Sequence, residues 1–199
     1  TLLATEDRVL AIFAVADTIK ESSREAITDL HRLGVTSVML TGDNVATATS
    51  IARQAGIDDA RGNLLPEDKL AAIEELQGRY GPTAMTGDGI NDAPALARAD
   101  IGVAMGAAGT DTAMEAADVV IMNDDLRRIP ETIRLSRQTH AVLWQNIALA
   151  LGIKVVFLGL AVFGNATMWM AVFADMGASL LVVANGLRTL RTSAPQTRD

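Results

Sequence analysis

The 199-residue sequence contains no cysteine. That excludes disulfides and any thiol, Cys-zinc or iron–sulfur site within the chain, and it leaves the redox compartment open. Aromatic residues amount to only 4%, and there are two histidines. Positive charge is also scarce: 17 Lys and Arg stand against 24 Asp and Glu, a formal net charge of −7. An acidic chain of this kind is not suited to nucleic acid. Apolar residues reach 49%, which allows a real core and excludes a disordered or collagen-like chain. The first residue is Thr1 rather than Met, as expected for a piece of a longer protein.

Charge is unevenly distributed. Residues 1–140 carry 13 basic and 22 acidic side chains, whereas the next 47, Ala141–Leu187, carry only Lys154 and Asp175. Residues 188–199 are net positive, with Arg188, Arg191 and Arg198 against Asp199. A helix crosses a bilayer in about 20 apolar residues, at about 1.5 Å each. The apolar stretch therefore suits two crossings and a tight turn at Gly164-Asn165-Ala166-Thr167. The pattern predicts a soluble unit over 1–125, a connecting helix over 126–143, transmembrane helices over 144–164 and 167–187, and a tail over 188–199. A buried helical hairpin in a soluble protein is the competing reading, and two successive spans of this length favour the bilayer. Arg134 and Arg137 precede the first span, Arg188 and Arg191 follow the second, and the turn is uncharged. Positive flanks predict cytoplasmic termini, with the plasma membrane as the expected location.

The soluble part alternates strand and helix patterns. Val9–Val15 reads as a buried strand, Ser22–Leu33 as a helix stopped by Gly34, and Val35–Leu40 as a strand. Val45–Gln54 reads as a helix ended by Gly56, and Pro66 opens another with Leu70, Ile73 and Leu76 on one face. Pro82–Met85, Ile101–Met105 and Val119–Met122 are further strands, and Thr110–Ala117 is helical. This rhythm predicts a parallel sheet covered by helices.

In such sheets the chemistry gathers at the carboxyl ends of the strands. Two polar, glycine-containing stretches fall there: Thr41-Gly42-Asp43 and Gly87-Asp88-Gly89-Ile90-Asn91-Asp92. Glycine lets the backbone approach a phosphate, and the helix start that follows offers unpaired N–H groups. A lone Asp-Gly pair signals only a turn. Here Asp88 and Asp92 lie four apart at a strand-to-helix corner, hard oxygen ligands suited to Mg²⁺ with substrate phosphate. Lys69 reads equally as a phosphoryl counter-charge or as an exposed helix lysine.

Thr41-Gly42-Asp43-Asn44, Pro66-Glu67-Asp68-Lys69 and the run from Thr86 to Leu96 (TGDGINDAPAL) resemble the phosphorylation-domain signatures of P-type ATPases, members of the haloacid dehalogenase-like superfamily. The resemblance implies a partial Rossmannoid α/β phosphorylation domain followed by a two-helix transmembrane hairpin. It implies that Thr41 and Gly42 hold phosphoryl oxygens, that Asp43 shapes their loop and positions nucleotide or phosphate, and that Lys69 neutralises the transferring group. It implies that Asp88 binds Mg²⁺ with Asn91 and Asp92 ordering phosphate and metal, and that Asp17 belongs to a hinge motif. ATP and Mg²⁺ are the implied cofactors of the intact pump. The family's nucleophile lies in an Asp-Lys-Thr-Gly-Thr motif, and no such run occurs here. Its nucleotide-binding and actuator domains and earlier membrane helices are also absent from this sequence. The expectation is a C-terminal portion that is inactive alone and needs the N-terminal portion of the pump as its partner.

Lys154 lies 11 residues before Asn165 and Asp175 lies 10 after it. Both therefore fall about 15–16 Å from the turn, near the middle of a bilayer, where an ammonium and a carboxylate at one depth can pair. The stretch from Met168 to Ser179, ending in Ala184-Asn185-Gly186-Leu187-Arg188, resembles the last helix of heavy-metal pumps, and Asp175 with the preceding lysine resembles their zinc/cadmium/lead branch. That resemblance implies Asp175 as ligand for a transported divalent metal and Lys154 as counter-ion. A copper-type pump using Met168, Met170 and Met176 is the competing metal reading, but a soft Cu(I) site favours sulfur over carboxylate. His31 and His140 have no partner at ligand spacing and read as surface residues. The remaining alternatives are a membrane-anchored phosphatase of the same superfamily and a non-catalytic protein associated with an intact pump.

Overall fold

A computed structural model of the chain describes residues 2–5, 7–12, 19–87, 90–106, 111–164 and 167–192. Asp17 and Asp88 lie outside these residues, as does the remainder of the expected 9–15 strand after Ile12. The chain divides into two compact units, Thr1–Pro130 and Glu131–Asp199.

The first unit opens with strands β1 (Leu2–Ala4) and β2 (Val9–Ile12), paired antiparallel. The expectation of a buried strand at Val9 is not met: Val9 is 56% and Leu10 50% exposed. A two-stranded antiparallel ribbon has no flanking strands to cover it. Helix α1 (Glu21–Arg32) follows and turns at Gly34, whose φ is +76°. Strand β3 (Val38–Leu40) leads to helix α2 (Val45–Ala55). Asn44 caps α2 by accepting the Thr47 N–H at 2.8 Å, and Gly56 ends it in the left-handed region. Strand β4 (Asp59–Arg61) pairs parallel with β3, and helix α3 (Pro66–Tyr80) follows.

Strand β5 (Ala84–Gly87), a 3₁₀ turn at Ile90–Asp92 and helix α4 (Ala93–Arg98) come next. Strand β6 (Ile101–Met105), helix α5 (Asp111–Ala116) and strand β7 (Val119–Ile121) complete the unit. The sheet order is β5-β6-β7, all parallel. The expected parallel sheet is therefore present in two pieces, β3-β4 and β5-β6-β7, with no ladder joining them among the described residues. Val103, Met105 and Ile121 form a buried cluster against which Val119, Leu126 and Ile129 pack. Ile73 and Leu96 are almost fully buried, on the inward faces of α3 and α4.

Helix α6 (Arg128–Val162) begins at the end of the first unit and runs without a break. Its 35 residues span about 52 Å. It is the helix among the described residues long and apolar enough to cross a membrane, and none of its apolar window is buried within the protein. Val155, Val156, Leu158 and Val162 are all at least 60% exposed, apolar surface of the kind that marks a protein or membrane contact. The chain turns at Gly164, with φ +74°, and continues in helix α7 (Met168–Thr192).

Candidate functional site

Strand β3 delivers Thr41 to its carboxyl end, where the loop Thr41-Gly42-Asp43 closes on itself. Thr41 Oγ1 donates to Asp43 Oδ2 at 2.9 Å and accepts the Asp43 N–H at 3.1 Å. A strap from the end of β4 lies over this loop. The Thr41 N–H donates to the Arg61 carbonyl, the Asn63 N–H to the Asp43 carbonyl at 2.6 Å, and the Leu64 N–H to the Thr41 carbonyl. Gly62 makes the approach possible: a Cβ there would lie 2.8 Å from the Asp43 carbonyl oxygen and from Val45 N and Cα. The loop is thus held on both sides by main-chain bonds before any ligand arrives.

The strap runs directly into α3. Pro66 occupies the first turn, and Asp68 reaches back to accept the Leu65 N–H at 2.9 Å. One residue on, Lys69 Nζ donates to Asp92 Oδ1 at 2.7 Å. The two side chains are only 15% and 16% exposed, so Lys69 is not an exposed helix lysine. Asp92 ends the 3₁₀ turn beyond β5 and sits against the backbone of Gly87. A Cβ on Gly87 would fall 2.7 Å from Asp92 Cβ and 2.9 Å from its Oδ2. Only glycine at the end of β5 leaves room for that carboxylate. Asn91 beside it is exposed. The structure thus brings Thr41 to Asp43 and Lys69 to Asp92, and links the two groups through the strap at residues 62–65.

Arg61 was not singled out by sequence. Its carbonyl holds the Thr41 loop, and its guanidinium forms a two-pronged pair with Glu75 of α3 at 2.7 and 2.9 Å. That pair holds the Glu75 carboxyl below its ordinary range and raises Arg61 further. A spacing of 14 residues, from a three-residue strand to the middle of a helix, offers no sequence signal. Further out, Asp58 is pulled below its usual range by the Ser37 N–H and by His31, whose Nε2 lies 2.9 Å away. Asp100 is lowered by the Thr83 N–H and by Gln77. His31 and His140 are engaged outside any metal cluster: His140 Nε2 accepts the Trp144 indole N–H at 3.0 Å. No group of three His, Asp or Glu side chains suited to a metal occurs among the described residues.

Among the described residues Asp92 is the carboxylate at the corner beyond β5, an oxygen donor of the type Mg²⁺ takes. Mg²⁺ is commonly held by one or two carboxylates plus phosphate and water rather than by a full protein cage. Asp92 Oδ1 accepts from Lys69 Nζ at 2.7 Å.

In the second unit, Lys154 of α6 and Asp175 of α7 line one cavity of about 390 Å³, together with Phe157 and Ser179. No ion pair joins Lys154 to Asp175 among the described residues, although both line the cavity. The Ser179 hydroxyl is occupied by the Asp175 main-chain carbonyl at 2.9 Å. Met170 and Met176 are exposed and do not line this cavity, and the Met168 side chain lies outside the described residues.

Parallel strands with polar loops at their carboxyl ends define an α/β unit, and the second unit contributes most of a helix long and apolar enough to cross a membrane. Residues 1–100 match the haloacid dehalogenase-like hydrolase family. The chain is 47% identical over 191 residues to the cadmium-transporting ATPase of Staphylococcus aureus, covering 96% of this chain and 26% of that protein. It is 48% identical over 193 residues to the cadmium, zinc and cobalt-transporting ATPase of Bacillus subtilis, covering 95% of this chain and 28% of that one. A crystal structure of a zinc-transporting PIB-type ATPase in an E2.Pi state superposes with a TM-score of 0.86 at 46% identity, over 95% of this chain and 31% of that chain. The chain belongs to the haloacid dehalogenase-like hydrolase family, and nearly all of it is similar to ATPases named for cadmium and zinc transport. It spans about a quarter of the length of the curated relatives it matches.

Proposed function

We propose that this chain supplies the Mg²⁺-phosphate site and part of the membrane metal site of an ATP-driven exporter of divalent heavy metals such as Zn²⁺ or Cd²⁺. The observation that carries this reading is the part-buried Lys69–Asp92 pair at the carboxyl end of β5, reached through the strap that holds the Thr41-Gly42-Asp43 loop. Relatives whose names state cadmium and zinc transport support the choice of cargo.

In this reading the Gly42 N–H donates to a phosphoryl oxygen, and the Thr41 hydroxyl does so by turning its proton from Asp43 Oδ2 to the phosphate while the Asp43 N–H still holds its oxygen. Lys69 faces the transferring group as a positive charge, and Asp92 fixes where that charge sits. Asp88 would bind Mg²⁺, with Asn91 and Asp92 ordering phosphate and metal around it. The ion supplies neutralisation of negative charge on the phosphoryl oxygens. Preorganised charge of this kind is the main contribution a protein makes to phosphoryl transfer. The nucleophilic Asp and the nucleotide domain come from sequence outside this chain, so these 199 residues alone form no phosphoenzyme.

Both α6 and α7 cross the bilayer in this reading, with the soluble unit and both chain ends on the cytoplasmic side. Asp175 binds the transported cation, and Lys154 provides a charge at the same depth that can replace it after release. An intramembrane carboxylate facing a cavity is costly unless an ion or a partner compensates it. The test is metal-stimulated ATP hydrolysis by the full-length pump. Asp175→Ala is expected to abolish stimulation by Zn²⁺ and Cd²⁺ while phosphorylation by inorganic phosphate persists. Retained stimulation overturns the cation role of Asp175.

A further inference from the structure

The cavity between α6 and α7 is lined by a single stripe on each helix. On α6 it includes Ala150, Ile153, Lys154 and Phe157, and on α7 it includes Asp175, Ala178, Ser179 and Val182. Continued away from the Gly164 turn, the α6 stripe reaches Asn146, four residues before Ala150. The α7 stripe reaches Asn185, three residues after Val182. The two asparagines meet. Asn185 Nδ2 donates to Asn146 Oδ1 at 2.9 Å and, at 3.3 Å, to Gln145 Oε1. Arg188 donates to Asn185 Oδ1 at 3.1 Å.

Arginine can only donate, so its contact identifies the oxygen end of the Asn185 amide and turns the nitrogen toward α6. Each end of that amide is therefore committed, and it cannot be turned over without losing partners on both helices. Apart from Lys154, Asp175 and Ser179, the rest of the lining is Ala, Ile, Phe and Val, whose contacts tolerate several helix registers. The Asn146–Asn185 pair is part-buried, and an asparagine contact at a helix–helix seam is a device by which helix pairs select a single register. A shift of one residue turns a helix by about 100° and carries an amide off its stripe.

We propose that Asn146 and Asn185 form a register clamp between α6 and α7 that holds Asp175 level with Lys154, making both asparagines positioning residues for the transported cation. This rests on the assignment of Asp175 and Lys154 to the membrane cation site. The clamp sits about 12 Å along α6 from Lys154 and about 15 Å along α7 from Asp175. It touches neither charge. It fixes α7 against α6 at one end, so that the axial and rotational setting of the carboxylate follows.

The experiment is the Zn²⁺ dependence of ATP hydrolysis in the full-length pump, for Asn146→Leu, Asn185→Leu and the double variant. Each single substitution is expected to raise the half-saturating Zn²⁺ concentration about threefold, the factor that corresponds to a typical interhelical hydrogen bond in a membrane protein. The maximal rate and phosphorylation by inorganic phosphate should be unchanged. Because one bond is shared, the double variant should be no worse than the more affected single one. Unchanged half-saturation, a loss of maximal rate alone, or additive effects overturn the clamp. Should Asn185→Leu fail to assemble in the membrane, Asn146→Ala removes only the acceptor and is read by the same criteria. Asp175→Ala in the same series separates the two assignments. Retained Zn²⁺ stimulation there defeats the cation site itself, whereas lost stimulation there with unaffected asparagine variants defeats the clamp alone.

Discussion

Lys69 Nζ lies 2.7 Å from Asp92 Oδ1, joining the first turn of α3 to the corner beyond β5 across 23 residues of sequence. Both side chains are about five-sixths buried. A charge pair in that setting is held in place by its own geometry. It also costs stability if either partner is removed, because the survivor stays in a poorly solvated place.

Lys69→Ala and Asp92→Ala should therefore each lower the stability of the soluble unit by about 1–3 kcal/mol. The double change Lys69→Met with Asp92→Asn should cost less than the sum of the single ones, since no unpaired charge remains. Thermal melts of the detergent-solubilised chain read this directly. Additive losses would mean that the pair contributes nothing as a pair.

Two glycines give opposite signs. A Cβ at Gly87 would overlap Asp92 Cβ, a branch point close to the backbone rather than the free end of a flexible side chain. Gly87→Ala should cost about 1–3 kcal/mol and dislodge the Asp92 carboxylate from Lys69. Gly78 lies inside α3, with nothing within 4 Å of its Cβ position. Gly78→Ala should stabilise the helix by about 0.5–1 kcal/mol. Melting temperatures that move in the same direction for both would contradict this account.

The acid limb of stability should carry the mark of Asp100. Its folded pKa is lowered by the Thr83 N–H at 2.8 Å and by Gln77 at 3.0 Å. A lowered folded value means that the unfolded chain takes up the proton first as pH falls. The stabilisation is complete above the unfolded carboxyl range and is lost as pH drops through the folded value. Asp100→Asn should be less stable than the parent at pH 7 and should converge on it as pH falls through the lowered folded value. Parallel melting curves across that interval would show that Asp100 has no such linkage.

Much of this frame is readable from local chemistry. Asn44 before an apolar-periodic run and Gly56 after it mark both ends of α2, and Pro66 with Asp68 marks the start of α3. Thr41-Gly42-Asp43 and the run from Gly87 to Asp92 announce themselves by residue type at strand ends. What escapes is set by pairing between distant segments. Asp59-Ala60-Arg61 has no apolar run and becomes a strand only because β3 offers its edge. Leu10 has the pattern of a core residue, yet it sits on an exposed two-stranded ribbon. The contact between Lys69 and Asp92 depends on how α3 meets the β5 corner, which no spacing encodes.

Gly62 provides the sharpest test of the strap. Its absent side chain would point into main-chain atoms, with the Asp43 carbonyl oxygen and Val45 N and Cα all 2.8 Å away. A side chain can swing away from such an overlap, whereas a loop carbonyl and a helix-start nitrogen cannot move without breaking bonds. Displacing the strap would strain the Asn63 N–H bond to Asp43 and the Leu64 N–H bond to Thr41. Gly62→Ala should therefore loosen the Thr41-Gly42-Asp43 loop and destabilise the unit by about 1–3 kcal/mol. Amide hydrogen exchange should report faster opening at Asn63 and Leu64, with the β6 amides unchanged in the same experiment. Protection at Asn63 and Leu64 equal to that of the parent would show that the loop does not depend on the strap.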